Sequence, residues 1–360
     1  MKVTIITTEA SGDFLGAALY KELKKRKAYI NGIGGKLLTN EGLNSWVSIH
    51  KFNTIGLFEV LIRLPKFLKI LNYVEHKIRE NPPDLLITID SPSFSYRLVK
   101  RIQDLRTKTK IVHYVAPTVW AWKEYRAKIF SELYDKLYTL FKFENKFFRK
   151  YGLSTKWVGH QIFYEKKKIS KSKTICFLPG SREVEIRKNL TKMKNIINDI
   201  TLKYKNYKFY ILTFDYYEKF IKQFINRKNI TIVTSQSKKQ KIMSESILAI
   251  AASGSVTLEL CKYQTPTIVV YDTNFFTKII LKILVKVKFA SLINIFFNKE
   301  ILPEFLFEDF TYKNVFREFD ALLFDKKKRD KQLKYMKVFS TKMLNNENPA
   351  KIIVDQIFKN

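Results

Sequence analysis

Residues 174–185, TICFLPGSREVE, carry the clearest fold signal in the chain. The first five are apolar and partly β-branched, too short for a buried helix and well suited to a buried strand. Pro179 and Gly180 stop that strand, and Ser181 and Arg182 open a polar helix predicted to run from about residue 183 to 204. Strand, glycine turn and helix start together form half of a βαβ crossover. Downstream, residues 209–213, 230–233, 248–251 and 267–271 repeat the strand pattern. Upstream it recurs at 3–7, 84–89 (DLLITI) and 110–115 (KIVHYV), with a helix expected from Gly12 through Leu23. This alternation predicts an α/β protein with parallel sheets covered by helices on both faces.

Between the two series lies a polar, lysine-rich run, YEKKKISKSK at 164–173, which reads as a linker. The expected organisation is two doubly wound, Rossmann-like domains facing a central cleft, over residues 1–165 and 172–340. Residues 341–360 are expected to form a helix that packs back on the first domain. Sheets of this kind bind ligands beyond the carboxyl ends of their strands, where the strand order switches direction. The segments that follow the strands are TEASGD, DSPSFS, APTVWAW, VGH, PGSRE and ASGSVTLE.

Composition narrows the field less than it first promises. With 360 residues, 46% hydrophobic, and only 11 Gly and 9 Pro, the chain suits packed domains rather than disorder. Sixty-six Lys and Arg against 33 Asp and Glu give a formal charge of +33, a field that attracts polyanions. Lys, Asn, Ile, Phe and Tyr are abundant together, however, as an AT-rich coding bias would make them, so charge alone selects no partner. No helix-turn-helix, RNP or zinc pattern is present, and no specific nucleic acid is expected. Cys176 and Cys261 lie in apolar runs without metal-type spacing. The opening MKVTIITTEASGD lacks the long apolar stretch of a signal peptide, and no uncharged run approaches the roughly 18 residues that span a bilayer. The expectation is a cytoplasmic protein, or one peripheral to a membrane.

Each strand-end motif has a chemical and a structural reading. In TEASGD, Gly12 permits close backbone approach and the helix start could hold a phosphate or sugar hydroxyls; alternatively Ser11 or Asp13 simply caps the helix. Asp90 ends a strand so apolar that a charge there needs a reason: a general base for an attacking hydroxyl, or a cap for the next helix. Trp120 and Trp122 suit sugar rings or acyl chains, or ordinary packing, and Lys123, Arg126 and Lys128 behind them suit a phosphate or solvent. His160 can donate to a nucleotide or act as acid or base, or be structural. Ser181 and Arg182, at a helix start after Pro-Gly, converge dipole, hydroxyl and guanidinium on one anion, as a diphosphate requires. This is neither a P-loop nor a dinucleotide fingerprint. Ser253, Gly254 and Ser255 repeat the design, with Glu259 one turn inside the helix and able to accept from ribose hydroxyls. Finally, Lys278, Lys282 and Lys286 recur every four residues through an apolar stretch from 275 to 297. On a helix they form a basic stripe beside Ile280 and Leu284, suited to an anionic lipid surface or to a buried helix with snorkelling lysines. Residues 61–71 (LIRLPKFLKIL) have a similar mix.

Taken in order, these motifs resemble the lipid-A-disaccharide synthase family over essentially the whole chain. The order is EASGD, G-x-x-E-V at 56–60, D-x-P at Asp90, VWAW, F-x-FE at 141–144, VGH, PGSR, SG-x-x-x-LE, and a closing set of Asn294, Glu300, Pro303 and Glu304. The resemblance implies a two-domain inverting glycosyltransferase of the GT-B type, without a catalytic metal or other cofactor, acting as a homodimer at the inner face of the inner membrane. It implies that UDP-2,3-diacylglucosamine binds the C-terminal domain and 2,3-diacylglucosamine 1-phosphate the N-terminal one, giving a β-1,6 disaccharide. By position, Asp90 is then the general base. Ser181, Arg182, Ser253, Gly254, Ser255, Glu259, Asn294 and Glu304 serve the UDP-sugar, and Glu9, Ser11, Gly12, Asp13 and His160 border the acceptor side. The chain departs from the family pattern at Ser93 and Ser95 (D-x-P-D-F-N), Lys142 (FPFE), Gln161 (VGHP) and Phe307, where a Gln is expected. Two other readings remain open: a GT-B enzyme using UDP-N-acetylglucosamine, either a peptidoglycan transferase or an epimerase, and a non-catalytic basic protein that binds nucleic acid.

Overall fold

The computed structural model of the chain describes residues 1–52, 59–165, 168–225, 227–284 and 287–359. Residues 1–164 with 343–359 form one compact unit, and residues 165–283 with 287–342 form a second.

The first unit is built on six parallel strands: β1 (Lys2–Thr7), β2 (Tyr29–Ile33), β3 (Leu85–Ile89), β4 (Lys110–Tyr114), β5 (Lys136–Thr139) and β6 (Ser154–Trp157), in the order β2-β1-β3-β4-β5-β6. Every residue of β3, LLITI, is buried, as a strand covered on both faces must be. The second unit repeats the plan with β7 (Thr174–Leu178), β8 (Lys208–Leu212), β9 (Ile230–Val233), β10 (Ser246–Ala252), β11 (Thr267–Tyr271) and β12 (Glu304–Leu306), in the order β12-β11-β10-β7-β8-β9. The helix Glu183–Lys203 buries Ile186, Leu190, Met193, Ile196, Ile197 and Ile200, spaced three or four apart, in the core that contains Ile175, Phe177 and Phe209. Its basic residues are left to the opposite side.

Strand β2 contains Gly32, and β5, β6 and β12 have only three or four residues. The sequence pattern anticipated β6, ahead of VGH, but not the other three. The run at 164–173 is also less free than its composition suggests. Lys171 donates to the carbonyls of Ser246 (2.8 Å) and Tyr263 (3.0 Å) and to Thr265 Oγ1 (2.8 Å), and burial pulls its ammonium down to about 8. Lys262, itself buried, pairs with Glu165 at 2.6 Å.

Both cysteines are buried, and neither forms a disulfide among the described residues. The closing helix, Pro349–Phe358, has Pro at its first turn and Asn348 as cap, whose side chain accepts from the amide of Ala350. It lies against the helix Ala10–Lys25, with Arg26 paired to Asp355 at 2.6 Å. Just upstream, the Tyr164 hydroxyl donates to the carbonyl of Asn345 at 2.9 Å. Among the described residues no helix is long and apolar enough to cross a membrane.

Candidate active site

In the first sheet β1 is an interior strand: the chain leaves it to pair β2 on one side and returns with β3 on the other. That is a switch point, so the segments following β1 and β3 emerge side by side. Register places Thr7 opposite Ile89, and just beyond them the Ser11 hydroxyl donates to Asp90 Oδ2 at 2.7 Å. The other carboxylate oxygen, Oδ1, accepts from the amide of Ser91 at 2.8 Å. The backbone of Asp90 is fixed as well: its N–H donates to Tyr114 O (2.9 Å), and its carbonyl accepts from Ser95 Oγ (3.0 Å). Asp90 and Ser91 both have positive φ, 56° and 46°, a conformation that costs energy in any residue but glycine and that Asp tolerates better than most. The following helix, Pro92–Arg101, takes Ser91 rather than Asp90 as its N-cap residue. The Asp90 carboxylate is therefore aimed and half-buried, without serving the helix end.

The neighbouring motif residues divide into two kinds. Glu9 is the N-cap residue of the helix Ala10–Lys25, so Ser11 and Asp13 lie inside that helix rather than capping it. A Cβ on Gly12 would sit 2.2 Å from Thr7 Oγ1 and 3.2 Å from Ile89 O, so glycine here lets the helix approach both strands. The Asp13 carboxylate accepts from the amides of Gly35 (2.7 Å), Leu37 (2.9 Å) and Leu38 (3.1 Å). It caps the short helix Lys36–Asn40, and both its oxygens are engaged by backbone amides. His160 is buried, its Nδ1 accepts from the amide of Ile162 at 3.2 Å, and burial pulls the ring down to about 4. It is neutral near pH 7, so an acid–base role is replaced by that of a structural cap carrying its proton on Nε2.

The two tryptophans behave differently. Trp120 Nε1 donates to Glu144 Oε1 at 3.3 Å, and Glu144, pushed up to about 7 by burial, also accepts from Phe141 N at 3.0 Å. Trp122 instead carries Lys123 and Arg126 over its ring, at 4.2 and 5.6 Å. Ser95 takes a place beside Asp90, and Ser93 Oγ accepts from Arg126 Nη2 at 3.2 Å, so both departures from the family pattern have partners. Lys142 is exposed, whereas Gln161 is buried with Oε1 unpartnered.

The second sheet has its switch point between β7 and β10, where Leu178 lies opposite Ala251. Arg182 is the N-cap residue of the helix Glu183–Lys203, and its guanidinium is held by Glu185 at 3.2 Å. Ser181 is exposed at the helix start. Sequence reasoning missed Asn189, which is wholly buried and joins two loops: its Nδ2 donates to Pro179 O (2.7 Å) and its Oδ1 accepts from Asp272 N (2.8 Å). Only the burial of a polar residue inside an apolar helix face could have singled it out. Beyond β10, Ser253 Oγ donates to Ala290 O at 3.0 Å, Gly254 has a φ of 149° with open space where a Cβ would be, and Ser255 is the N-cap residue of Val256–Lys262. The Glu259 carboxyl has no protein donor among the described residues. Burial pushes it up to about 7 against the pull of Lys239 and Lys262.

Asn294 and Glu304 were expected to line the nucleotide site, and their polar atoms are instead consumed internally. Asn294 Oδ1 accepts from the amides of Ile301 and Leu302, and its Nδ2 donates to Leu302 O and to Glu304 Oε1. Glu304 accepts from Ala290 N (2.7 Å), Ser291 N (2.8 Å) and Ser291 Oγ (2.6 Å) as well. The pair is a knot that fixes the 290–291 backbone, and Ala290 in turn holds Ser253.

The basic stripe is partly neutralised within the protein. On the helix Phe275–Leu284, Lys278 and Lys282 both pair with Glu308, held down to about 2 by them, and both lie over the Phe307 ring. Ile280 is half-buried. The outward apolar residues are Phe275, Ile279 and Ile283, at 69%, 39% and 74% exposure. Lys286 and the 53–58 segment, which includes Gly56, lie outside the described residues, as do the side chains of Glu59, Val60 and Leu284. Among the described residues no group of three His, Cys, Asp or Glu side chains converges as a metal site would.

Two Rossmann-like sheets, each with glycine turns and polar loops at its switch point, define a protein of the GT-B class. Solved structures agree on the fold. The Neisseria meningitidis UDP-GlcNAc 2-epimerase bound to UDP-GlcNAc superposes with a TM-score of 0.65 at 14% identity, covering all of both chains. Acinetobacter baumannii MurG gives 0.54 at 11%, covering 100% of this chain and 99% of that one. The sequence pattern of the lipid-A-disaccharide synthetase family matches residues 3–358. The chain is 35% identical over 374 aligned positions to the lipid-A-disaccharide synthase of Rickettsia akari (strain Hartford), covering 99% of this chain and 95% of the relative. With that of Rickettsia canadensis (strain McKiel) it is 36% identical over 347 positions, covering 92% and 90%. The chain belongs to the lipid-A-disaccharide synthase family. That membership sets aside the epimerase, peptidoglycan transferase and nucleic-acid readings, since the first two share only the fold.

Replacing Glu304 by Ala strands four donors, including the wholly buried Asn294 amide, and is expected to destabilise the protein by about 3 kcal/mol. Urea unfolding followed by circular dichroism measures this; an unchanged midpoint would show that the knot contributes nothing.

Proposed function

We propose that the chain is an inverting glycosyltransferase that moves 2,3-diacylglucosamine from its UDP derivative onto 2,3-diacylglucosamine 1-phosphate, yielding the β-1,6 disaccharide 1-phosphate and UDP. The observation that carries the mechanism is the Asp90 carboxylate, oriented through both oxygens by Ser11 and the Ser91 amide. In this reading the first unit takes the acceptor and the second the UDP-sugar. Asp90 accepts the proton of the acceptor's primary hydroxyl, and the oxygen attacks the anomeric carbon from the face opposite UDP. The bond from that carbon to the diphosphate breaks, and UDP departs with the bonding pair. One base and one leaving group on opposite faces give inversion. The charge that develops on the diphosphate meets the Arg182 guanidinium, the Ser181 hydroxyl and the positive end of the helix Glu183–Lys203. The Ser253–Gly254–Ser255 turn adds a hydroxyl and backbone amides, and Glu259 accepts from the ribose. Both substrates carry acyl chains, so the enzyme works at an anionic membrane surface, peripheral to the inner face of the inner membrane. The outward Phe275, Ile279 and Ile283 supply apolar side chains for that contact.

Three measurements test this reading. With both diacylated substrates in detergent and EDTA, the wild type should release UDP and form disaccharide 1-phosphate by mass spectrometry. Asp90→Ala should be slower by about 10²- to 10⁴-fold, and a fully active variant would remove Asp90 as the base. Glu259 binds ribose hydroxyls best as a carboxylate and is pushed up to about 7 in the unliganded protein. UDP affinity should therefore be full above that pH and weaken as pH falls from about 8 to about 6. Glu259→Gln should flatten this calorimetric profile, and a dependence that persists in the variant would assign it elsewhere. For the membrane contact, Phe275→Asp with Ile283→Asp should reduce co-sedimentation with anionic vesicles by about tenfold or more; equal sedimentation would exclude this helix face.

A further inference from the structure

Beside Asp90 the first unit holds a cluster of cations with no counterion. Arg97, Lys123 and Arg126 make no ion pair among the described residues, although Glu124, next in sequence to Lys123, pairs with Lys150 at 2.6 Å. Arg126 is only 8% exposed, yet its Nε–H has no acceptor among the described residues, and its Nη2 is spent on a neutral hydroxyl, Ser93 Oγ. A buried guanidinium so poorly compensated is costly unless a ligand completes it.

The cations converge on a single residue and a single ring. Arg126 donates to the Ser93 hydroxyl, and Arg97 Nη1 donates to the Ser93 carbonyl at 2.7 Å. Lys123 and Arg126 share the indole of Trp122. Burial lowers the affinity of the Lys123 ammonium for its proton, and the charges of Arg126 and Arg97 lower it further, so the three groups act on one another. Ser93 itself lies in the first turn of the ten-residue helix Pro92–Arg101, where an amide has no intrahelical acceptor and the dipole is positive. Its hydroxyl accepts from Arg126 and so keeps its own proton to donate. Ser91 Oγ, between Asp90 and Ser93 in sequence, is buried without a partner. Asp90 is the carboxylate of this loop, and its oxygens are turned to Ser11 and the Ser91 amide.

We propose that Ser93, Arg97, Lys123 and Arg126 form a phosphate-monoester subsite that takes the anomeric phosphate of the acceptor whose hydroxyl is presented to Asp90. This rests on the assignment of Asp90 and the acceptor to the first unit. The acceptor's primary hydroxyl, carried on the carbon outside the ring, and its anomeric phosphate flank the ring oxygen of one sugar, so a base and a phosphate site grouped about one short loop and its helix can hold both substituents of the same ring. The same chemistry could meet a phospholipid headgroup, and the test separates the two sources.

The variants are Arg97→Ala with Lys123→Ala, both on side chains outside the core, and Lys123→Arg as the charge-conserving control. Circular dichroism checks folding. Steady-state kinetics in a neutral detergent vary donor and acceptor separately, and include an acceptor that lacks the 1-phosphate. The double variant should raise the acceptor KM by about 10- to 100-fold and leave the donor KM unchanged. The wild type should prefer the phosphorylated acceptor, the double variant should lose that preference, and Lys123→Arg should retain it. An unchanged acceptor KM, or a wild type indifferent to the phosphate, would overturn the subsite. So would a defect that appears only on anionic vesicles, which would assign the cluster to a headgroup. No product from wild type with either acceptor would overturn the underlying acceptor assignment, and this subsite with it.

Discussion

Each sheet is begun by an interior strand, and the placement of every candidate group follows from that constraint. Because β1 and β7 are interior strands, the next strand pairs on one side and a later one must return to the other. Crossovers between parallel strands keep one hand, so connections leading to opposite sides diverge and leave the carboxyl edge uncovered between β1 and β3 and between β7 and β10. The parallel pairing of those strands, Thr7 with Ile89 and Leu178 with Ala251, sets which loop tips become neighbours. Ser11 reaches Asp90 only because Gly12 allows its helix to close on Thr7 and Ile89. A side chain at position 12 would move the hydroxyl before it altered anything chemical.

Around these edges, several motif residues work on the protein's own backbone. Asp13 caps a short helix, His160 caps the turn at 161–163, and Asn294 with Glu304 ties the 290–291 segment. Each is a buried polar group whose burial is tolerable because its hydrogen bonds are made. Asp90 and Glu259 differ: the first is oriented yet accessible, and the second is half-buried with no donor among the described residues. The distinction separates groups that shape a loop from groups left with capacity for a ligand, and a shared motif does not reveal it.

The regular strands were legible because TICFL, LLITI and TIVVY are apolar runs of strand length with a proline close to one end. Strand β2 was not, since YINGI is interrupted by polar Asn31 and by Gly32, and β12 is an edge strand whose exposure removes the need for an apolar run. The importance of Asp90 was legible as a charge ending a buried strand, but its left-handed backbone was not, because Asp gives no signal for it. Arg126 looked like one of several helix cations; only the packed structure distinguishes it from the exposed Lys128. Lys171, in a run that reads as linker, is likewise set apart by tertiary acceptors far away in sequence.

The closing helix Pro349–Phe358 belongs to the unit that begins at residue 1, whereas 165–283 and 287–342 belong to the other. On the ribosome, the second unit therefore has its strands and core helices before the first has its last one. The helix Ala10–Lys25, among the earliest to emerge, must wait with one flank uncovered until the helix that bears Asp355 arrives. The unit that starts first is completed last, an inversion of the usual order of domain maturation during synthesis.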